Sequence, residues 1–240
     1  MTGAGTFRPR AVVFDLDGTL ADTMHWHARA FQQFVRRHGL PPLTADIRRQ
    51  IDGKRNIEIM PILFGRALPP ADVEALAFEK EDLYRRLSKG AVRPLAGAMR
   101  VVDALDRHGV RWALATSAPR ANVAHTLGEL GLADRAIPVA LSDEVPRGKP
   151  FPDVYLRAAA LAGVEPAACL AFEDAPVGVA AARAAGMRCL ALTSTFPPDA
   201  FLGSDPPPDG VYADFDAFLA GEGRWLLTDP SQMTNREPRM

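Results

Sequence analysis

The chain has 240 residues, 48% apolar and 24% charged, an ordinary globular balance that allows one large domain or a domain with a smaller insert. A formal net charge of -1 argues against a general nucleic-acid binder, and no run of about 18 apolar residues marks a membrane-spanning helix. Cys169 and Cys189 are the two thiols and form no CxxC pair, which fits a reduced protein rather than a disulfide scaffold. The segment from Met1 to Arg10 is short, polar and interrupted by proline. It lacks the apolar stretch of a signal peptide, so the cytoplasm is the expected compartment.

In chain order, Ala11-Val12-Val13-Phe14 is a short apolar run ending in Asp15-Leu16-Asp17-Gly18-Thr19, the pattern of a buried strand followed by a tight turn. Residues 23–90 then read as helices only: Met24 to Gly39, Thr44 to Ile51, Asn56 to Gly65 and Ala71 to Lys89. Ala91 to Leu95 is the return hinge. Strands are predicted at Val110 to Ala115, Ala136 to Leu141, Cys169 to Phe172 and Arg188 to Leu192. Helices are predicted at Gly97 to His108, Arg120 to Leu130, Phe151 to Ala162 and Pro176 to Ala185, several stopped by glycine. This alternation predicts an α/β fold, a Rossmann-like doubly wound parallel sheet. The catalytic core is expected over 1–22 and 91–227, with an all-helical block inserted over 23–90. Pro206-Pro207-Pro208 marks a surface loop, and residues 228–240 are expected to form a disordered tail.

Ligands of a parallel α/β sheet gather beyond the carboxyl ends of the strands. Four polar groups fall there: Asp15 with Asp17, Thr116 with Ser117, Lys149, and Glu173 with Asp174. Clustered carboxylates repel, and a divalent cation removes that objection. Oxygen donors without a His or Cys cluster select Mg²⁺ over zinc. Beside such a metal, a lysine and two hydroxyls suit a phosphoryl group. One carboxylate can then attack phosphorus while a second, two residues along, handles the proton.

Each motif has a plainer use on its own. Asp-x-Asp-Gly is also a turn, Glu173-Asp174 also caps a helix, and Lys149 alone would be a surface lysine. The first motif is no EF-hand, because Thr19 stands where an Asp or Asn is required. Gly148-Lys149-Pro150 is no P-loop, because Asp143 and Pro150 occupy its glycine and hydroxyl positions. The ordered set is what carries the argument.

Asp15-Leu16-Asp17-Gly18-Thr19, Thr116-Ser117, Lys149-Pro150 and Glu173-Asp174 resemble, in order and spacing, the four motifs of the haloacid-dehalogenase-like phosphatase superfamily over roughly residues 11 to 220. The resemblance implies Asp15 as nucleophile and Asp17 as general acid/base. It implies Mg²⁺ held by Asp15, the Asp17 carbonyl and Asp174, with Glu173 assisting, and phosphate held by Thr116 and Lys149. The helical insert resembles the mobile cap of the β-phosphoglucomutase-like subgroup. There Thr23 and His27 match a hinge pair that couples closure to the acid/base carboxylate, and Lys80 matches a cap lysine that touches the sugar.

Arg55 and Asn56 fall one residue out of register with a cap arginine of that subgroup. His25, His38, His108 and His125 show no such context and are expected to be structural. Pro119 and Arg120 replace a Lys-Asn pair, with Arg120 the substitute anion donor. This favours a phosphatase of a small phosphorylated metabolite over a β-phosphoglucomutase, with dehalogenation and a noncatalytic binder of the same fold further behind. A monomer is expected, since no coiled coil or exposed apolar repeat is evident.

Overall fold

The computed structural model describes residues 7–229. The first strand, β1 (Ala11–Phe14), is buried on both faces, as its unbroken apolar run requires. Four helices follow: α1 (Met24–Arg37), α2 (Ala45–Ile51), α3 (Asn56–Phe64) and α4 (Pro70–Ser88). The chain then alternates through α5 (Ala98–Arg107), β2 (Arg111–Thr116), α6 (Arg120–Glu129), β3 (Val139–Leu141), α7 (Asp153–Ala162), β4 (Cys169–Glu173) and α8 (Pro176–Ala184). It ends with β5 (Arg188–Leu192), α9 (Asp199–Leu202), β6 (Gly210–Tyr212) and α10 (Phe215–Ala220).

All strand pairs are parallel, in the order β3-β2-β1-β4-β5-β6. The order reverses at β1, which pairs with β2 on one side and β4 on the other. A crevice therefore opens at the carboxyl end of β1. The period-2 alternation of β1 feeds two cores. Val12 and Phe14 join the aromatic cluster with Phe172, Phe215 and Phe218 on one face. Ala11 and Val13 face the alanine-rich helices α7 and α8 on the other.

The helices of residues 23–90 bury a third cluster of their own, including Phe31, Phe34, Ile51, Met60, Leu83 and Tyr84. In α1 the buried residues His27, Ala30, Phe31, Phe34 and Val35 make one stripe at helical spacing. Two crossings join this block to the sheet, and they lie side by side. The Leu20 carbonyl accepts from Leu95 N at 3.1 Å, and Asp22 N donates to the Arg93 carbonyl at 2.9 Å.

Three sequence expectations are corrected. The predicted strand at 136–141 begins only at Val139: Pro138 has no N–H for a ladder, although its carbonyl accepts from Leu114 N. The sheet has a sixth strand, β6, too short and polar at its start to show periodicity. The helix predicted from Phe151 begins at Asp153, after Pro152. In the predicted tail, residues 230–240 lie outside the described residues.

Candidate active site

Asp15 follows β1 directly and is anchored by its backbone N–H, which donates to the Phe172 carbonyl at 3.0 Å. The Asp15 side chain is buried. Lys149 Nζ donates to Asp15 Oδ1 and to Glu173 Oε1, both at 2.6 Å. Oε1 of Glu173 also accepts from the Tyr155 hydroxyl at 2.6 Å, and Oε2 accepts from Asp174 N at 3.0 Å and Ala175 N at 3.3 Å. Both Glu173 oxygens are thus occupied by protein donors. This suits Glu173 to fixing Lys149 better than to binding a metal directly.

Asp15, Glu173 and Asp174 each offer a carboxylate oxygen, and these oxygens lie within 4.8 Å of one another, all buried. Burial is the main force on Asp15, against Lys149 and with Glu173, and its pKa is pushed up to about 8. Asp174 is raised well above the carboxylate range by burial, then by the negative neighbours Glu173 and Asp15. Burial opposes the Lys149 charge, but Asp15 and Glu173 outweigh it and raise its pKa. Three carboxylates around one ammonium leave uncompensated negative charge, and the donors are hard oxygens. The site fits a cation such as Mg²⁺.

The close approach of the first turn to Asp174 depends on Gly18. Its φ of +81° is in the left-handed region, and a Cβ there would overlap the Asp174 carboxylate and the Thr195 hydroxyl. Thr19 Oγ1 donates to Asp174 Oδ1 at 3.3 Å.

Asp17 turns its carboxylate the other way, toward the helical block. Oδ1 accepts from Thr23 Oγ1 at 2.7 Å and lies 3.4 Å from His27 Nε2, a loose contact. Burial acts to raise the Asp17 pKa, but His27 and then the Thr23 hydrogen bond bring it below the usual range. His27 Nδ1 lies 2.9 Å from Lys80 Nζ, and its ring stacks on Tyr84 with centroids 3.8 Å apart. An ammonium only donates, so Nδ1 is the acceptor and Nε2 carries the proton that faces Asp17. Lys80 also donates to Glu81 Oε1 at 3.0 Å.

One cavity of about 80 Å³ is lined by Asp15, Asp17, Thr116, Ser117, Lys149 and Asp174 from the sheet side, and by His27, Lys54, Asn56 and Lys80 from the helical side. The structure therefore brings together every predicted site residue but one. Arg120 is exposed at the start of α6, pairs with Glu144 and does not line this cavity. Ser117 lines it, but its hydroxyl donates to the Gly53 carbonyl at 2.8 Å, tying the sheet side to the helical block. Arg55 pairs with Glu58 at 3.1 Å.

Sequence reasoning missed Tyr155, Glu81, Asn122 and Thr195. Tyr155 and Asn122 sit on helix faces whose partners come from distant elements, so no local pattern marks them. Thr195 is a buried hydroxyl beside Asp174 after β5. Glu81 was visible only as the neighbour of Lys80.

A family model described as haloacid dehalogenase-like hydrolase matches residues 9–186. Protein CbbY of Rhodobacter capsulatus is 37% identical over 197 residues, covering 78% of this chain and 86% of that protein. Hexitol phosphatase A of Escherichia coli K12 is 34% identical over 190 residues, covering 78% of this chain and 84% of its own. Among solved structures, a hydrolase from Pseudomonas syringae superposes with a TM-score of 0.78 at 26% identity, covering 89% of this chain and 98% of that one. No helix among the described residues is long and apolar enough to cross a membrane.

Proposed function

Because the chain belongs to the haloacid dehalogenase-like hydrolase family, we propose that it is a magnesium-dependent phosphatase of a small phosphorylated metabolite, a sugar or sugar-alcohol phosphate. The observation that carries this reading is the convergence of Asp15, Thr116, Lys149 and Asp174 on one wall of a single cavity, with Asp17 between that wall and the helical block. The similarity to a hexitol phosphatase supports the substrate class.

Asp15, Asp174 and the main-chain carbonyl of Asp17 would hold Mg²⁺, which when bound neutralises charge on the carboxylates and on the phosphoryl oxygens. Asp15 attacks phosphorus, the bond from phosphorus to the ester oxygen breaks, and an acyl phosphate is left on Asp15. Asp17 gives its proton to the departing oxygen. Water then attacks phosphorus, Asp17 accepts its proton, and the bond to Asp15 breaks to release phosphate.

The Lys149 ammonium has three protons and commits two to Asp15 and Glu173, leaving one for a phosphoryl oxygen. The Thr116 hydroxyl supplies a second donor. Asp17, held ionised by His27 and Thr23, is ready to accept a proton from water. A phosphate dianion arriving beside it raises its pKa toward the protonated form that the first half-reaction needs.

The cavity, at about 80 Å³, is well below the ~300–1,000 Å³ typical of ligand pockets. Substrate entry therefore requires the helices α1 to α4 to move off the sheet and close again. A cap that closes this far selects small substrates over folded phosphoproteins.

A phosphomutase is the second reading, favoured by His27 and Lys80 in the cavity. The exposed, paired Arg120 stands against it, since it offers no second phosphate site there. The test is a Mg²⁺ incubation with hexitol phosphates and with β-glucose 1-phosphate primed by glucose 1,6-bisphosphate, following free phosphate and glucose 6-phosphate. Free phosphate without isomer supports the phosphatase. Isomer forming faster than phosphate makes it a mutase. Asp15→Asn abolishes either reaction, and retained activity in that variant would remove Asp15 as nucleophile.

A further inference from the structure

Asn122 is fully buried at the start of the core helix α6, facing α4 of the helical block. Its Nδ2 donates to Glu81 Oε2 at 2.6 Å, and its Oδ1 accepts from Arg85 Nη1 at 2.7 Å. The other Glu81 oxygen accepts from Lys80 Nζ and from Asn56 Nδ2, each at 3.0 Å. Lys80 Nζ in turn meets His27 Nδ1, whose Nε2 faces Asp17. A continuous polar line thus runs from a core helix, through the helical block, to the acid/base carboxylate.

We propose that Asn122 is the closing latch of the helical block, a positioning residue that sets the Lys80–His27 pair against Asp17 only when the block is shut. This rests on the phosphatase reading for its catalytic consequence, but the latch itself is a property of the fold.

Three physical features carry the argument. Asn122 is the one residue of the core that both donates to and accepts from α4 among the bonds described, so it fixes that helix in position and in rotation. The partner it donates to is a buried carboxylate, and hydrogen bonds to charged groups are the stronger kind. When the block opens, Glu81 loses its Asn122 donor but keeps Lys80 and Asn56, which travel with it on α4 and α3. The buried charge is therefore never stranded, and the latch can break and re-form. Contacts further along α4, Tyr84 with Thr126 and Ser88 with His125, lie toward the crossing at Arg93 and act as the pivot side.

The test uses an isosteric swap. Asn122→Asp keeps the volume and the acceptor for Arg85 but sets a carboxylate against Glu81. Adding Glu81→Gln restores a donor–acceptor pair in the opposite sense, and the Gln carbonyl still accepts from Lys80. Spin labels at Ile57→Cys in α3 and Leu202→Cys in α9 report the separation of block and core. Both sites are exposed, and the native thiols are buried.

In the ligand-free, full-length protein, Asn122→Asp shifts the label distances to a longer population, and the double variant returns them. With p-nitrophenyl phosphate and Mg²⁺, kcat/KM falls about ten- to a hundredfold in Asn122→Asp, the loss expected for one charge-assisted hydrogen bond. It recovers in the double variant, and the Asn122→Asp effect disappears in a Lys80→Ala background. Unchanged distances in a folded Asn122→Asp protein overturn the latch whatever the activity. Should Asn122→Asp fail to fold, Asn122→Ser carries the same distance measurement. A wild-type protein without phosphatase activity would remove the phosphatase reading and leave the distance result to judge the latch alone.

Discussion

The Tyr155 hydroxyl donates to Glu173 Oε1 at 2.6 Å, and the same oxygen accepts from Lys149 at 2.6 Å. A phenol on α7 therefore helps hold the end of β4 that presents Glu173 to the ammonium facing Asp15. Burial and the negative charges of Glu173 and Asp15 keep that phenol protonated far above its ordinary range, so it remains a donor.

Tyr155→Phe removes the donor and leaves the ring. We expect a loss of about 1.5–3 kcal/mol in unfolding free energy, the range for a hydrogen bond to a charged group. Lys149 loses an anchor on its partner rather than its partner, so kcat should fall several-fold while Mg²⁺ affinity changes little. Urea unfolding and a Mg²⁺ titration by calorimetry check the two parts. A Mg²⁺ affinity lost in step with kcat would mean that Glu173 serves the metal rather than the lysine.

The sheet and most of the site were legible in the sequence because both depend on local signals. Apolar runs such as Ala11–Phe14 end in polar residues, and strands ending this way place those residues at the crevice. β6 escaped because three half-buried residues carry no period. Arg120 holds a loop-motif position that predicts an anion donor, but α6 starts there and its guanidinium pairs with Glu144, outside the cavity. Tyr155, Glu81 and Asn122 were missed for one common reason. Tyr155 pairs with Glu173 18 residues away and Asn122 with Glu81 41 residues away, so only the folded packing of helix on helix or helix on sheet reveals these contacts.

Gly18→Ala tests the turn that brings the first motif onto Asp174. The left-handed backbone alone costs about 1–2 kcal/mol for a residue with a Cβ. That Cβ would also overlap Asp174, so the carboxylate must move. The variant should melt several degrees lower and bind Mg²⁺ at least tenfold more weakly. A melting loss with unchanged Mg²⁺ affinity would separate Asp174 from the metal site.

Cys169 and Cys189 are free and buried. Burial, with the Glu165 charge beside it, pushes Cys169 up to about 11, and burial raises Cys189 as well. Since the thiolate is the reactive form, neither should react with a thiol-disulfide reagent at pH 8 in the native state, and both should react in denaturant. Stoichiometric labelling of the native protein within minutes would contradict their burial.

Glu81 gives the clearest link between ionisation and stability, since its partners Lys80, Asn56 and Asn122 lie outside the carboxylate cluster. Burial acts to raise its pKa, but Lys80 and then His27 prevail and hold it below its ordinary value of 4.5. A folded pKa below the unfolded one means that the unfolded chain binds the proton more readily. The stability this group contributes is therefore complete above about pH 4.5 and is lost as pH falls through the lower folded value. Asp15 and Asp174 are raised, so they act with the opposite sign, yet they are common to wild type and Glu81→Gln and cancel in the difference between the two. Wild-type stability minus that of Glu81→Gln should be flat from pH 7 to about 5 and decline below it. Urea midpoints measured across that range give the difference directly. A difference that grows on acidification would mean that Glu81 takes up its proton in the folded protein, and that the Lys80–Glu81–Asn122 arrangement does not hold it ionised.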